Sequence, residues 1–473
     1  MNNFPPYKIF LSFVLVFLCV ALFLLLNPGD KYRIKVLVPE TTKEGGGLIK
    51  GRSPRPPEIS GVIVHPADEP VTRLEKITPA DQSEYPDFIS PRGIEYPNGD
   101  ENILIPFIES IKGIEKEGSQ TRILYFGDSQ IEGDRITKFV RKRLQSEYGG
   151  SGPGMLPLME PVYVSISLEF QQSSNWKKYD YLVNQQPSST QGMGTMLSYS
   201  VYEGSEANLS ISLKEEQDIA GRYFNCLRLI LIPGSGEGVI RYSSSSTAIR
   251  EWIVPSGSEL VQFQFSFPSI QSELRLEFDN LAGAKMMGLS LESTTGVLVD
   301  NIAHRGSAGL EFSRDGTGSF REMANFLDPD LVVLQFGINV VPAKSNDFAY
   351  YGAYLAEEIR FLQEQIPGVP ILIVGVSDMG QLVKGIPTGY LSVEKVNEVQ
   401  RETARQTGSA FFDLLAFMGG AGSFKEWMDA EPILMRRDFT HFSHAGGAYV
   451  AEGIAQALIG AVERSNNPED NGI

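Results

Sequence analysis

The sequence predicts an α/β protein with a doubly wound parallel sheet, a β-sandwich domain inserted into that sheet, and an N-terminal transmembrane helix. Apolar runs alternate with helical periodicity in residues 102–160 and again in residues 296–463, as in parallel sheets covered by helices on both faces. Between them, residues 161–295 alternate polar and apolar side chains with period two, which is typical of antiparallel strands. Residues 9–26 are almost continuously apolar.

The N-terminal apolar segment, residues 9–26, is interrupted only by Ser12 and Cys19 and has the length of a minimal membrane-spanning helix. No small-x-small cleavage site follows in Leu26-Asn-Pro-Gly-Asp30, so we predict an uncleaved signal anchor. The flanking basic residues give no strong orientation signal. Because N-terminal anchors with a large C-terminal domain usually export it, we expect residues 1–8 in the cytoplasm. The body is then expected in the periplasm or otherwise outside the cytoplasm, tethered to the inner membrane.

Two weakly patterned segments flank the predicted body. Residues 27–101 carry Gly45-Gly-Gly47, Ser53-Pro-Arg-Pro-Pro57 and further scattered prolines without a sustained period. This composition predicts an extended linker that carries the body away from the bilayer. The polar residues 464–473 predict a disordered tail.

Composition excludes several classes of partner and cofactor. The formal net charge is −17, from 41 basic and 58 acidic residues, which argues against a nucleic-acid partner. The two cysteines, Cys19 and Cys226, exclude a disulfide framework. The four histidines and two cysteines show no zinc-type spacing, so we expect no metal site.

A candidate nucleophile follows the first strand of the body. Residues 123–126 form an unbroken apolar run, Gly127 ends it, and Asp128 and Ser129 lie in the turn before a helix predicted over residues 135–148. A serine at the carboxyl end of a parallel strand lies where α/β folds hold their ligands, and its hydroxyl is a nucleophile if a base reaches it. Taken alone, Gly-Asp-Ser favours a tight turn in which the serine binds only backbone groups over a nucleophilic serine.

The α/β pattern resumes after the insertion and adds two candidate residues at the same edge of the sheet. The predicted strands cover residues 296–302, 330–336, 370–376 and 410–413, and the predicted helices cover residues 349–365, 392–407 and the C-terminal segment to about residue 462. Gly306 and Asn339 each follow one of these strands, so we expect both close to Ser129.

A candidate base lies near the C-terminus. Asp438 and His441 are three residues apart, which lets the carboxylate hold the imidazole Nδ1–H and leaves Nε2 free to take the Ser129 proton. The pair also fits simple helix capping. His444 is a rival base without an acid at the same spacing, and His304 either lines the pocket or lies in a surface loop.

Aromatic residues in the predicted insertion offer a second functional interpretation. A sugar-stacking face or a sandwich core would each use such side chains, and at any single position the core is the commoner outcome. The candidates are Trp176, Tyr179, Tyr181, Tyr199 and Tyr202.

These motifs together resemble the SGNH/GDSL hydrolase family. Its four blocks occur in order as Gly127-Asp-Ser129, Gly306, Gly337-Ile-Asn339 and Asp438-Phe-Thr-His441. The third block usually reads Gly-x-Asn-Asp, and Val340 stands here in place of the Asp. The resemblance covers about residues 102–463.

More narrowly, the chain resembles the peptidoglycan O-acetyl esterase branch of that family. The matching features are the stretch from Arg122 to Thr137, its glycine-rich sequel at 149–154, the β-domain inserted after it, and residues 410–427. The resemblance implies a flavodoxin-like three-layer α/β/α fold and a carbohydrate-binding-like insertion.

The resemblance also implies roles for the site residues. Ser129 is the implied nucleophile, His441 the general base and then acid, and Asp438 the residue that orients it. The backbone N–H groups of Ser129 and Gly306 and the side-chain amide of Asn339 are the implied oxyanion hole, and no cofactor is needed.

The expected protein is a membrane-anchored extracytoplasmic serine esterase that removes O-acetyl groups from peptidoglycan or another envelope polysaccharide. A polysaccharide O-acetyltransferase that works with a membrane O-acyltransferase is an alternative, because water and a sugar hydroxyl both serve as acyl acceptors. A non-catalytic glycan-binding envelope protein is a further alternative, against which the complete set of family motifs argues.

Overall fold

The computed structural model describes residues 62–65, 86, 88–90, 92–159, 168–181, 192–214, 223–314, 318–345 and 347–466. The predicted cytoplasmic segment, the predicted anchor at 9–26 and most of the predicted linker lie outside these residues. Within them, the helix His444–Asn466 is long and apolar enough to cross a membrane, but 67% of its most apolar window is buried in the protein. It is therefore a core helix of the body.

The secondary structure alternates between α/β and all-β segments along the chain. The described strands are β1 (Val62–His65), β2 (Gln120–Gly127), β3 (Gly154–Leu156), β4 (Leu168–Gln172), β5 (Trp176–Asp180), β6 (Ser198–Tyr202), β7 (Glu206–Leu213), β8 (Phe224–Ile232), β9 (Gly238–Ser244), β10 (Thr247–Val254), β11 (Val261–Gln271), β12 (Glu273–Asp279), β13 (Lys285–Glu292), β14 (Gly296–Ala303), β15 (Leu331–Gln335), β16 (Ile371–Val374), β17 (Gly380–Val383), β18 (Ile386–Gly389) and β19 (Ala410–Phe412). The described α-helices are α1 (Ile105–Glu117), α2 (Thr137–Tyr148), α3 (Ser319–Leu327), α4 (Ala349–Gln365), α5 (Val393–Thr407), α6 (Leu414–Phe417), α7 (Phe424–Asp429) and α8 (His444–Asn466).

The predicted parallel sheet is present, with the strand order β14-β2-β15-β16-β19. Both faces of β2 are covered, because Ile123 and Tyr125 point into one apolar core and Leu124 and Phe126 into another. Helices α1, α2 and α8 line the first core, and α3, α4 and α5 line the second. The result is the expected three-layer α/β/α arrangement, which explains why β2 reads as an unbroken apolar run.

Two sheets are formed mainly by antiparallel strands that lie between β2 and β14 in the sequence, as the period-two pattern predicts. One has the order β10-β9-β12-β7-β4, and the other runs β11-β8-β13-β6-β5, with β3 paired to β13 and β1 added in parallel to β11. Alternate residues of β7 and β12, such as Leu209 and Leu276, fill a core that strands of both sheets share. This is the geometry of a β-sandwich.

The sandwich is packed tightly against the α/β sheet. Met193, Met196 and Met287 enter the same apolar core as β2 and α3. A buried ion network also crosses the boundary, because Arg122 on β2 donates hydrogen bonds to Asp300 on β14 and to Glu292 on β13.

Arg228 on β8 completes this network by donating to Glu292 across 2.6 Å. Burial alone would raise the pKa of Glu292, but the guanidinium groups of Arg122 and Arg228 hold that pKa at about 2. The ionised carboxylate therefore ties the sandwich to the parallel sheet.

Several element boundaries in the structure differ from the predicted ones. The sandwich sheet already includes β3, before the predicted start at residue 161, and α8 continues to Asn466, into the predicted tail at 464–473. Part of the predicted linker 27–101 is structured. Strand β1 pairs with β11, and the Glu95 N–H donates to Phe411 O at the edge of the parallel sheet. Exposed edge strands favour such additions, and no local periodicity signals them.

Candidate active site

The turn that carries Ser129 is formed by close packing at the carboxyl end of β2. A Cβ atom at Gly127 would lie 2.9 Å from the Gln335 carbonyl oxygen and equally near Ile131, so only glycine fits there. The Asp128 N–H then donates to the same Gln335 carbonyl, and the chain turns away from the sheet. Ser129 is only 8% exposed. The local sequence thus fixes the serine at the mouth of the sheet.

The structure brings Ser129, His441 and Asp438 into one hydrogen-bonded line. Ser129 Oγ lies 2.8 Å from His441 Nε2, and His441 Nδ1 lies 3.0 Å from Asp438 Oδ2. Asp438 Oδ1 also accepts from the backbone N–H groups of His441 and Thr440. Partial burial opposes ionisation, but these hydrogen bonds hold the pKa of Asp438 well below its usual range. An ionised Asp438 fixes the Nδ1–H tautomer and leaves Nε2 to accept the serine proton.

The histidine loop reaches this geometry through an unusual backbone conformation at Phe439. Its φ of +63° lies in the left-handed region, which a bulky residue adopts only when its surroundings impose it. Its carbonyl accepts a 2.8 Å hydrogen bond from Gly380 N, at the start of β17, and its ring contacts Phe424 edge-on. The β17–β18 hairpin therefore helps to hold the reversal that places Asp438 beneath His441.

The two remaining family residues follow the strands on either side of β2. In the sheet register Gly127 pairs with Ala303 of β14 and with Gln335 of β15. Gly306 and Asn339 come three and four residues after those partners, and both are exposed. The three predicted site segments thus share one edge of the sheet.

The Asn339 side chain is held in place by a neighbouring backbone group. Its Nδ2 donates across 2.8 Å to the Ser307 carbonyl, which uses one of its two hydrogens. Gly306, one residue before Ser307, has a φ of +82°, a conformation that favours glycine.

Asp128 is a buried carboxyl group directly before Ser129. It is 1% exposed; Oδ1 accepts a 2.9 Å hydrogen bond from Gln130 N, and Oδ2 has no hydrogen-bond partner within the described residues. Burial raises the pKa of Asp128 to about 7, although the Gln130 N–H and the nearby Arg135 charge oppose the rise.

Two residues that the sequence did not single out, Arg135 and Gln130, make hydrogen bonds around Ser129 and the histidine loop. Arg135 Nη1 donates across 2.7 Å to the carbonyl of Ser129. Gln130 is buried and its side chain reaches the histidine loop. Arg135 was recognisable only as the first residue of a predicted helix, and no sequence signal marks a partner that lies some 310 residues from Gln130.

The two rival histidines lie elsewhere. His444 begins α8, with Nε2 3.2 Å from Lys138 Nζ and its ring edge-on to Phe139. His304 is half-buried and donates through Nε2 to the Met196 carbonyl at 3.1 Å. Burial lowers the pKa of His304 to about 4, so its ring is neutral. The geometry agrees with the ranking of His441 over His444.

Four of the five candidate aromatic residues lie in the core, which is the outcome that the sequence favoured over a sugar-stacking face. Trp176, Tyr181, Tyr199 and Tyr202 are buried in the sandwich or at its junction with the α/β sheet. Tyr179 is half-buried and stacks on Tyr199 with a centroid separation of 5.4 Å.

Among the residues that the structure describes, no group of three His, Cys, Asp or Glu side chains forms a potential metal site.

Comparison with protein families identifies the class. Residues 282–449 match the GDSL-like Lipase/Acylhydrolase family. The match contains Gly306, Asn339, Asp438 and His441. Ser129 lies outside it, because it precedes the sandwich strands in the sequence. This match identifies a GDSL-like acylhydrolase domain in the chain, in agreement with the motif blocks and with the sheet and site described above. No curated protein sequence matches the chain.

Among solved structures, the fold is similar to that of a peptidoglycan O-acetylesterase. The TM-score is 0.63 at 20% identity, over 78% of this chain and 99% of the other. An acetyl xylan esterase, AlAXEase, matches 34% of this chain and 81% of its own with 18% identity and a TM-score of 0.27. A family two carbohydrate esterase from Cellvibrio japonicus matches 63% of this chain and 99% of its own, with 10% identity and a TM-score of 0.25. The last two scores are too low to add to the fold assignment.

Proposed function

We propose that the protein is an O-acetyl esterase that acts on an O-acetylated glycan of the cell envelope, most directly peptidoglycan. The observation that carries the proposal is the hydrogen-bonded line from Ser129 through His441 to Asp438 at the carboxyl edge of the sheet. The acetylated-glycan substrate is supported by the fold shared with a peptidoglycan O-acetylesterase. The membrane anchor at 9–26 and the extracytoplasmic location are part of the proposal and rest on the sequence alone.

The first chemical step is transfer of the acetyl group to the enzyme. Ser129 Oγ attacks the ester carbonyl while His441 Nε2 removes its proton, and Asp438 stabilises the imidazolium that forms. The tetrahedral intermediate collapses, the sugar oxygen leaves with the proton from Nε2, and an acetyl-serine remains.

The negative charge of the tetrahedral intermediate requires hydrogen-bond donors. We assign this role to the backbone N–H groups of Ser129 and Gly306 and to the Asn339 amide. The 2.8 Å bond from Asn339 to Ser307 O supports the assignment, because a donor held before substrate arrives need not reorganise during the reaction.

The second step is hydrolysis of the acetyl-serine. His441 activates a water molecule that attacks the acetyl carbonyl, acetate leaves, and the proton returns to Ser129 Oγ. The side chains of His441 and Asp438 are 28% and 48% exposed, so water can reach the histidine. An open site of this kind also suits a bulky polymer better than a ligand that must be enclosed.

The experiment that tests the proposal is an acetate-release assay. The full-length protein in detergent is incubated with O-acetylated peptidoglycan, with and without a deacetylated sugar acceptor. We expect acetate release in both, and none with Ser129→Ala. Acetyl transfer to the added sugar without acetate release would establish a transferase instead. Neither product from a folded wild-type protein would contradict catalysis on this substrate.

A further inference from the structure

Gln130 follows the nucleophile directly, and its side chain bridges to the loop that carries His441. It is 1% exposed. Its Nε2 donates to the Thr440 carbonyl across 2.8 Å, and its Oε1 accepts from the Phe442 N–H across 3.4 Å. One amide group thus holds the backbone immediately before and immediately after the histidine.

The same amide is itself fixed on two further sides. Its nitrogen also donates to Ser377 Oγ at 3.0 Å, at the end of the chain segment that follows β16. Its own backbone N–H donates to Asp128 Oδ1. Gln130 therefore has little freedom to move, and its hydrogen bonds restrict the movement of Thr440 O and Phe442 N in turn.

The position of the His441 backbone matters because the Ser129–His441 contact joins two loops far apart in sequence. Asp438 fixes the ring relative to its own loop, but it does not hold that loop against the serine. A displacement of about 1 Å between reacting groups lowers rates by on the order of 10²-fold. The Gln130 bridge spans the gap across which such a displacement would occur.

We propose that Gln130 is a positioning residue that sets the distance between Ser129 and His441 by clamping the backbone on both sides of the histidine. The inference rests on the proposed serine esterase function. It assigns Gln130 no contact with substrate and no proton transfer.

The clamp requires a donor to the Thr440 carbonyl, which makes Gln130→Glu a sharp test. A neutral glutamic acid has one O–H to donate and one oxygen to accept the Phe442 N–H, so it reproduces the clamp. An ionised glutamate has no hydrogen to donate and faces the Thr440 carbonyl with negative charge. Burial raises the pKa of such a carboxyl, so we expect its ionisation within an accessible pH range.

The measurement is kcat/KM for a small acetyl ester across about pH 5 to pH 9, expressed as the ratio of variant to wild type. The ratio cancels contributions that both proteins share, including those of Asp128, Arg135, Asp438 and His441 near this position. For Gln130→Glu we expect a ratio within about tenfold of one at low pH, which then falls about tenfold per pH unit as the new carboxyl ionises.

Gln145→Glu is the matched control. Gln145 is also 1% exposed and donates to a backbone carbonyl, that of Val297 at 2.9 Å, but it lies on α2 and does not contact the histidine loop. Its ratio should show no alkaline fall while circular dichroism reports folded protein. In a second variant, Gln130→Ala should lower kcat by about 10- to 100-fold with little change in KM.

A pH-independent ratio for Gln130→Glu would overturn the proposal, as would a fall that follows unfolding of the variant or is matched by Gln145→Glu. A kcat for Gln130→Ala equal to that of wild type would overturn it as well. These results differ from failure of the proposed function, in which the wild-type protein itself would hydrolyse no acetyl ester.

Discussion

The buried carboxyl of Asp128 makes the stability of the protein depend on pH in a specific way. Burial raises its pKa from 3.8 to about 7 in the folded protein. In the unfolded chain the carboxyl loses its proton near pH 3.8, so between that pH and about pH 7 folding requires proton uptake. Stability from this group is therefore greatest at low pH, falls as pH rises, and levels off above about pH 7.

The size of the effect follows from the shift. One pKa unit corresponds to about 1.4 kcal/mol, so the full shift of roughly three units costs about 4 kcal/mol at high pH. Between about pH 5 and pH 8, Asp128 should lower the free energy of unfolding by about 3 kcal/mol. This change is a large fraction of the free energy of unfolding of a folded domain, which is typically about 5 to 15 kcal/mol.

The assay is denaturant unfolding at both pH values for the wild-type protein, Asp128→Asn and Ser129→Ala. Asp128→Asn removes the ionisation and retains an oxygen to accept the Gln130 N–H. Between about pH 5 and pH 8, the variant should therefore lose less stability than the wild-type protein, by about 3 kcal/mol. Ser129→Ala keeps the carboxyl and should retain the wild-type difference. Equal pH dependence in wild type and Asp128→Asn would refute the reasoning.

Three further substitutions test the site and its support. Asp438→Asn should lower kcat for an acetyl ester by about 10⁴-fold with little change in KM, because an amide no longer stabilises the imidazolium or fixes its tautomer; a loss below about tenfold would contradict the role. Asn339→Ala should lower kcat by roughly 10²–10³-fold, and an effect confined to KM would make Asn339 a substrate-binding residue instead. Glu292→Gln should lower the free energy of unfolding by about 3 kcal/mol, because it removes the negative charge that Arg122 and Arg228 share in a buried network. Its control, Glu203→Gln in a surface ion pair, should leave the unfolding midpoint nearly unchanged, and equal effects would contradict the network's role.

The sequence was sufficient to locate the parallel sheet and the line from Ser129 to Asp438. The strands of a sheet covered on both faces are apolar runs, which are visible in the sequence. Each candidate residue either follows such a strand or lies within a recognisable short motif. The helix predicted at 349–365 matches α4 at both ends. The helix predicted at 392–407 begins one residue later, at Val393.

Features that depend on partners distant in sequence could not be predicted. The β17–β18 hairpin is short and carries a weak pattern, and it is fixed by tertiary contacts such as the hydrogen bond from Gly380 N to Phe439 O. The aromatic residues of the sandwich illustrate another limit. Tyr199 and Tyr202 have side chains suited to either a core or a binding face, and only packing decides between them. Gln130 is the sharpest case, because its function depends on the backbone around His441.

The most direct test of the central claim is acetate release from O-acetylated peptidoglycan by the full-length protein and by Ser129→Ala. The proposed acyl-enzyme mechanism predicts release by the wild-type protein and a rate at least about 10⁴-fold lower for the folded variant. If Ser129→Ala retained more than about a hundredth of the wild-type rate, Ser129 would not be the nucleophile and the proposed mechanism would be wrong.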